Sequence, residues 1–263
     1  MMSSPSPPRR RIVGVSTKMY FSAARTKQYV QDLLQIISTS TSSSSSPSDL
    51  LSRLDVFIIP DHVTLASVVS QLDGTGILTG AQDAFHEDAG AFTGEVSPAV
   101  LAEVGCRVVE LGHAERRRIF GETDADTARK AAAAARNGLV PLVCIGERAR
   151  GEAATAAGEC RVQVEAVLAS VPDDAEVVLA YEPVWAIGAA EPAGADHVVA
   201  VARQIRALEC VRRRRGATRI LYGGSAGPGL FEKLKDGVDG LFLGRFAHDP
   251  AQFYRTILEV AAA

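Results

Sequence analysis

Cysteine is scarce: four of the 263 residues, Cys106, Cys144, Cys160 and Cys210, and they form no CxxC pair and no zinc-type spacing. A chain of this size needs no disulfide staple, so reduced thiols and no bound metal are expected. Long apolar runs are missing as well. Residues 1–11 are rich in Ser and Pro and then basic, without the roughly 7–15-residue apolar stretch of a secretory signal. No later run approaches the ~20 apolar residues of a membrane span. The expectation is a cytoplasmic protein with a loose tail over 1–10. There is little net charge, −3 at pH 7, and so no global field to attract nucleic acid or anionic lipid. An anionic ligand therefore needs a local site. The one basic run, Arg212 to Arg215, stops at Gly216, where a helix C-terminus favours cations. No Gly-x-Gly-x-x-Gly opens a helix, so no dinucleotide cofactor is expected.

What the chain has is 47% hydrophobic and 22% charged residues, the balance of a globular protein with a large core. Short β-branched runs alternate with longer amphipathic ones. Strands are predicted over Arg11–Thr17, Leu54–Pro60, Gly76–Gln82, Arg107–Leu111, Val140–Ile145, Val177–Glu182, Arg219–Tyr222 and Gly240–Leu243. Helical patterns between them include Ser22–Ile37, Thr123–Asn137, Glu152–Ser170, Asp196–Arg215 and Pro250–Ala262. The alternation implies a parallel sheet. An open doubly wound sheet satisfies it too, but consecutive units without a second-domain composition favour a single (β/α)₈ barrel over 11–263. The Ser/Thr-rich stretch 38–48 cannot pack a core and reads as a flexible insertion on the side away from the strand C-termini.

In such a barrel the reactive groups sit where strands end. The first strand ends at Ser16-Thr17-Lys18, the fourth at Gly112-His113-Ala114-Glu115, the sixth at Tyr181-Glu182-Pro183. The seventh and eighth end at Gly223-Gly224-Ser225 and Gly244-Arg245. A carboxylate, an imidazole, an ammonium and two glycine turns thus share one mouth. Taking a proton from a carbon beside a carbonyl needs a base, a donor to the oxygen that becomes negative, and a fixed positive charge. Glycine turns let backbone N–H groups approach phosphate oxygens. Singly each signal is weak, since a lone Glu is more often an ion-pair partner and a lone His a packed one. Their joint placement points to a small phosphorylated hydroxy-carbonyl substrate.

The words Leu111-Gly112-His113-Ala114-Glu115-Arg116-Arg117, Ala180-Tyr181-Glu182-Pro183-Val184-Trp185-Ala186-Ile187-Gly188 and Tyr222-Gly223-Gly224-Ser225 resemble the triosephosphate isomerase family. Gly90 to Glu95 and Cys144 to Glu147 resemble further blocks of it. The resemblance implies Glu182 as the proton-shuttling base, His113 as a neutral electrophile and Lys18 as the charge stabiliser. It implies Glu115 as a carboxylate beside Lys18, a structural partnership with neighbouring arginines being the competing reading. Ser16, Gly188, Gly223, Gly224, Ser225, Gly244 and Arg245 are implied at the substrate and its phosphate. The stretch from Pro183 to Ala193 resembles the family's mobile lid, with Trp185 held by Glu147 in one lid position. The Thr93 loop implies a homodimer.

The chain departs from the family pattern at the mouth. Ser16 replaces the first asparagine of Asn-Trp-Lys-Met-Asn, and Ala114 a serine after the histidine. Ala190-Glu191-Pro192 replaces Gly-Lys-Thr in the lid, and Arg245 a second glycine. These changes resemble the offshoot that isomerises four-carbon erythrulose phosphates. The expectation is placed first on interconversion of dihydroxyacetone phosphate and glyceraldehyde 3-phosphate, with the four-carbon reaction as the alternative. A sugar-phosphate binder with little turnover comes third.

Overall fold

The computed structural model describes residues 10–40, 47–188 and 192–263. Its elements begin with β1 (Arg11–Ser16), α1 (Ala23–Thr39), α2 (Pro47–Arg53), β2 (Leu54–Ile59), α3 (Leu65–Leu72) and β3 (Leu78–Ala81). They continue with α4 (Pro98–Glu103), β4 (Val108–Leu111), α5 (Ala114–Phe120), α6 (Asp124–Arg136), β5 (Val140–Ile145), α7 (Ala153–Leu168) and β6 (Val177–Tyr181). The last are α8 (Ala195–Ala207), α9 (Glu209–Arg212), β7 (Thr218–Tyr222), α10 (Phe231–Leu234), β8 (Gly240–Leu243) and α11 (Pro250–Ala262).

The strands run parallel in sequence order and close into a barrel, with Ile12 to Val15 of β1 registered against Gly240 to Leu243 of β8. This is the expected (β/α)₈ barrel. Strand periodicity divides its core in two. Val13, Val15, Val109, Leu111, Leu179 and Ile220 point outward into the layer covered by helices. Ile12, Phe57, Ile59, Val108, Leu142, Cys144, Val178, Ala180 and Phe242 fill the inside. Gly14 is required there, because a Cβ on it would collide with the Phe57 ring. That ring packs 5.7 Å from Phe242 and plugs the barrel axis below the mouth.

Three expectations are corrected. Arg10, assigned to the tail, is fixed: its guanidinium donates to the Leu51 and Ser52 carbonyls at the end of α2 and pairs with Asp55 at 2.6 Å. Last-turn carbonyls lack helical partners, and a cation meets them well. The 38–48 segment is helical at both ends, Ser38 and Thr39 finishing α1 and Pro47 and Ser48 starting α2; residues 41–46 lie outside the described residues. Hydroxyls of Ser38 and Thr39 return to the Gln35 carbonyl, which is how such residues join a last turn. The helix expected over Asp196–Arg215 breaks at Leu208, whose ψ of 137° leaves the helical region, yet both Ile205 and Val211 stay against the barrel. Of the basic run beyond it, Arg213 pairs with Glu209 and Arg215 with Asp173, and Arg214 donates to Ala175 O.

Candidate active site

The residues at the strand ends line one cavity of about 780 Å³ at the C-terminal mouth of the barrel. Ser16, Lys18, Glu110, His113, Glu115 and Glu182 line it together with Gly188, Gly223, Gly224, Ser225, Gly244 and Arg245. The catalytic and substrate-side residues expected from the sequence therefore meet in this cavity.

Glu182 follows β6 and keeps the barrel register, its N–H donating to Ile145 O at 2.7 Å. Its side chain is 3% exposed and lies against Gly223, where a Cβ would stand 2.6 Å from Glu182 Cγ. Only glycine after β7 leaves this carboxylate its place. Burial first, and then the charge of Glu110, push its pKa up to about 8. Oε2 is buried with no hydrogen-bond partner among the described residues, so it is free to take a proton from a ligand. Ala114 offers no hydroxyl, and a second cavity of about 440 Å³, lined by Ala114, Cys144 and Arg148, opens on the other side of Glu182.

His113 is the N-cap of α5. Its Nδ1 accepts the N–H of Glu115 at 3.1 Å, which leaves Nε2 to carry the proton of a neutral ring. Nε2 stands 3.5 Å from Glu182 Oε2. Burial and the nearby Lys18 cation lower its pKa to about 4, so the ring is neutral around pH 7.

Lys18 has φ of +49°, the one positive φ on a non-glycine residue among those described. Gln82 Nε2 donates to its carbonyl at 2.8 Å and helps hold that turn. Such a conformation costs on the order of 1–3 kcal/mol and persists where surrounding contacts over-determine it. It aims the ammonium into the cavity, where Nζ meets Glu115 Oε1 at 2.9 Å. Burial opposes the charge, but Glu115, Glu182 and Glu110 outweigh it and hold the ammonium above its ordinary range. Glu115 is thereby the partner of Lys18; Arg116 and Arg117 pair elsewhere, with Asp83 and Asp124.

Also lining the cavity, Gly188 has φ of +72°, and Ser225 Oγ donates to Ala186 O at 3.4 Å. Gly244 leads into a single 3₁₀ turn, Arg245–His248, and the exposed Arg245 stands at the rim. The segment from Pro183 to Ala193 is tied down near both ends. Trp185 Nε1 donates to Glu147 Oε1 at 2.9 Å, as expected, and Ala193 N donates to Tyr222 Oη at 3.1 Å. Residues 189–191, including the altered Ala190 and Glu191, lie outside the described residues.

Sequence reasoning missed Glu110. It was absorbed into an apolar strand, although period two puts it on the same inward face as Val108. It is 4% exposed, accepts from Ser16 Oγ at 2.9 Å, and has its pKa raised by burial to about 7.

A base, a neutral imidazole donor, a held ammonium and glycine turns can together enolise a phosphorylated hydroxy-carbonyl compound. The chain is 46% identical over 248 residues, 93% of each chain, to an L-erythrulose-1-phosphate isomerase from Pectobacterium atrosepticum. It is 44% identical over 219 residues, 80% of this chain and 85% of the relative, to one from Rhizobium meliloti. A triosephosphate isomerase from Aquifex aeolicus is 35% identical over 254 residues, 94% of this chain and 98% of the relative. The family described as triosephosphate isomerase matches residues 11–260, and this chain belongs to that family of sugar-phosphate isomerases.

Proposed function

We propose that the protein isomerises a four-carbon ketose phosphate of the L-erythrulose 1-phosphate type. The observation that carries this reading is the higher identity over most of the chain to L-erythrulose-1-phosphate isomerases, 46% against 35% for the triosephosphate isomerase from Aquifex aeolicus. The triose reaction, placed first from sequence, becomes the second reading.

In L-erythrulose 1-phosphate the carbonyl is at C2 and the phosphate at C1, so C3 is the neighbouring carbon that bears both hydrogen and hydroxyl. Glu182 takes the C3 proton, and the electron pair forms a C2–C3 enediolate with its charge on O2. His113 Nε2–H and the Lys18 ammonium stabilise that oxygen, and Glu115 holds the ammonium in place. The O3 proton passes to O2, and return of the abstracted proton from Glu182 to C2, with the O3 electron pair forming the new C=O, leaves the carbonyl at C3. Backbone N–H groups of Gly188, Gly224 and Gly244, the Ser225 hydroxyl and the Arg245 guanidinium hold the phosphate, while Ser16 and Gly223 shape the space around the carbon chain. Lid closure excludes water while the enediolate, whose neighbouring phosphate is a good leaving group, exists. A homodimer through the exposed Thr93 loop, beside the exposed Phe92, completes this reading.

Carbon NMR of L-erythrulose 1-phosphate incubated with the enzyme tests it. A ketone resonance moving from the carbon next to the phosphate-bearing CH₂ to the one next to the free CH₂OH is expected. An unchanged substrate, or exchange at C3 alone, contradicts it.

A further inference from the structure

Glu110 has no part in the mechanism above, yet it costs the fold free energy. Its carboxyl projects into the barrel from β4 above an apolar layer that includes Val108 and Phe242. Its hydrogen bond comes from a neutral hydroxyl, Ser16 Oγ at 2.9 Å. No lysine or arginine among the described residues lies within ion-pair distance, and Lys18 is engaged by Glu115 at 2.9 Å. A carboxyl retains acceptor capacity beyond one bond, and when protonated it also donates. Buried polar groups of this kind are retained where something else completes their hydrogen bonding.

The cavity decides what that is. An anionic phosphate is repelled by a carboxyl, and the glycine turns that suit it follow β7 and β8, the latter across the closed barrel from β4, which carries Glu110. Glu110 therefore meets the end of the substrate remote from phosphate, where its charge also acts on Glu182. A triose phosphate ends there at its reacting carbon, whereas a tetrulose phosphate carries one more CH₂OH. Ser16 is smaller than the asparagine of the family pattern by a pair of non-hydrogen atoms, the size of that group.

We propose that Glu110 determines substrate length: with Ser16 it forms the pocket for the terminal CH₂OH of a four-carbon ketose phosphate and hydrogen-bonds its hydroxyl. This rests on the four-carbon reading and names the contact behind it. A triose phosphate leaves the carboxyl with the Ser16 bond alone, and a site built to hydrogen-bond a substrate hydroxyl discriminates strongly against the analogue without one.

The test compares wild type with Glu110→Leu and Ser16→Asn, each assayed on L-erythrulose 1-phosphate and dihydroxyacetone phosphate. In Glu110→Leu the ratio of the two kcat/KM values, tetrulose over triose, is expected to fall by about ten- to a hundredfold. Ser16→Asn keeps the carboxyl but fills the space, so it moves the ratio the same way even if the first variant folds poorly. Equal losses on both substrates, or an unchanged ratio, overturn the assignment. The two ideas fail separately. A wild type that prefers the triose overturns the four-carbon reading, whereas a tetrulose-preferring wild type whose ratio survives both substitutions overturns the role of Glu110 alone.

Discussion

Nε2 of His113 faces Oε2 of Glu182 at 3.5 Å, while Nδ1 of the same ring accepts the backbone N–H of Glu115 at 3.1 Å. The helix that follows thus fixes the tautomer, and a neutral ring can donate only toward the cavity. Because burial and Lys18 lower its pKa to about 4, ¹⁵N NMR is expected to show a neutral, Nε2-protonated ring from about pH 9 down to about pH 5.5. Imidazolium signals already at about pH 6.5 contradict this.

Replacing Glu182 by Gln keeps its shape and removes its basicity. Turnover is expected to fall by at least ~10²–10⁴, while inorganic phosphate still binds. Stability carries an independent signature. The folded pKa, about 8, lies above the ordinary glutamate value of 4.5, so the folded state holds a proton that the unfolded state has lost between those values. Stability from this group is complete below pH 4.5 and is lost as pH rises to about 8. Thermal melts are therefore expected to show Glu182→Gln gaining on wild type across that window. A constant difference in Tm contradicts the buried, proton-holding carboxylate.

Trp185 is the only tryptophan in the chain, and its indole, in the segment proposed to act as a lid, donates to Glu147. Its fluorescence is thus a direct report on that segment. Saturable change on titration with inorganic phosphate is expected, and Glu147→Gln, which weakens the anchor, is expected to alter the unliganded spectrum. Identical spectra in all three conditions contradict a lid that responds to the phosphate site.

Arg245 lines the cavity just after β8, across the closed barrel from β4, which carries Glu110. Arg245→Ala is expected to lower kcat/KM by about tenfold on both substrates alike, the loss of one charge-assisted hydrogen bond to phosphate at an exposed position. A loss confined to the four-carbon substrate moves the side chain to the sugar chain, and unchanged kinetics remove it from the site.

The sequence displays the strand order and the polar residues that end each strand because both are local properties, and the long words around His113 and Glu182 add the family. Gly76–Gln82 shrinks to Leu78–Ala81 because Gly76, at φ +82°, belongs to a turn that hydropathy alone does not distinguish from a strand start. The break at Leu208 is equally silent, since one extended residue barely disturbs helical spacing. Glu110 was hidden for a different reason: a charge inside an apolar run reads as an edge position until the closed barrel turns that face inward. Arg10 looked like tail because its partners on α2 and β2 are more than forty residues away in sequence.

The central claim is a four-carbon substrate, and the most direct measurement is wild-type kcat/KM on L-erythrulose 1-phosphate beside dihydroxyacetone phosphate under one set of conditions. The account predicts a preference for the tetrulose phosphate of at least about tenfold, the discrimination that one buried hydroxyl contact supplies. Equal values, or a preference for the triose phosphate, contradict it.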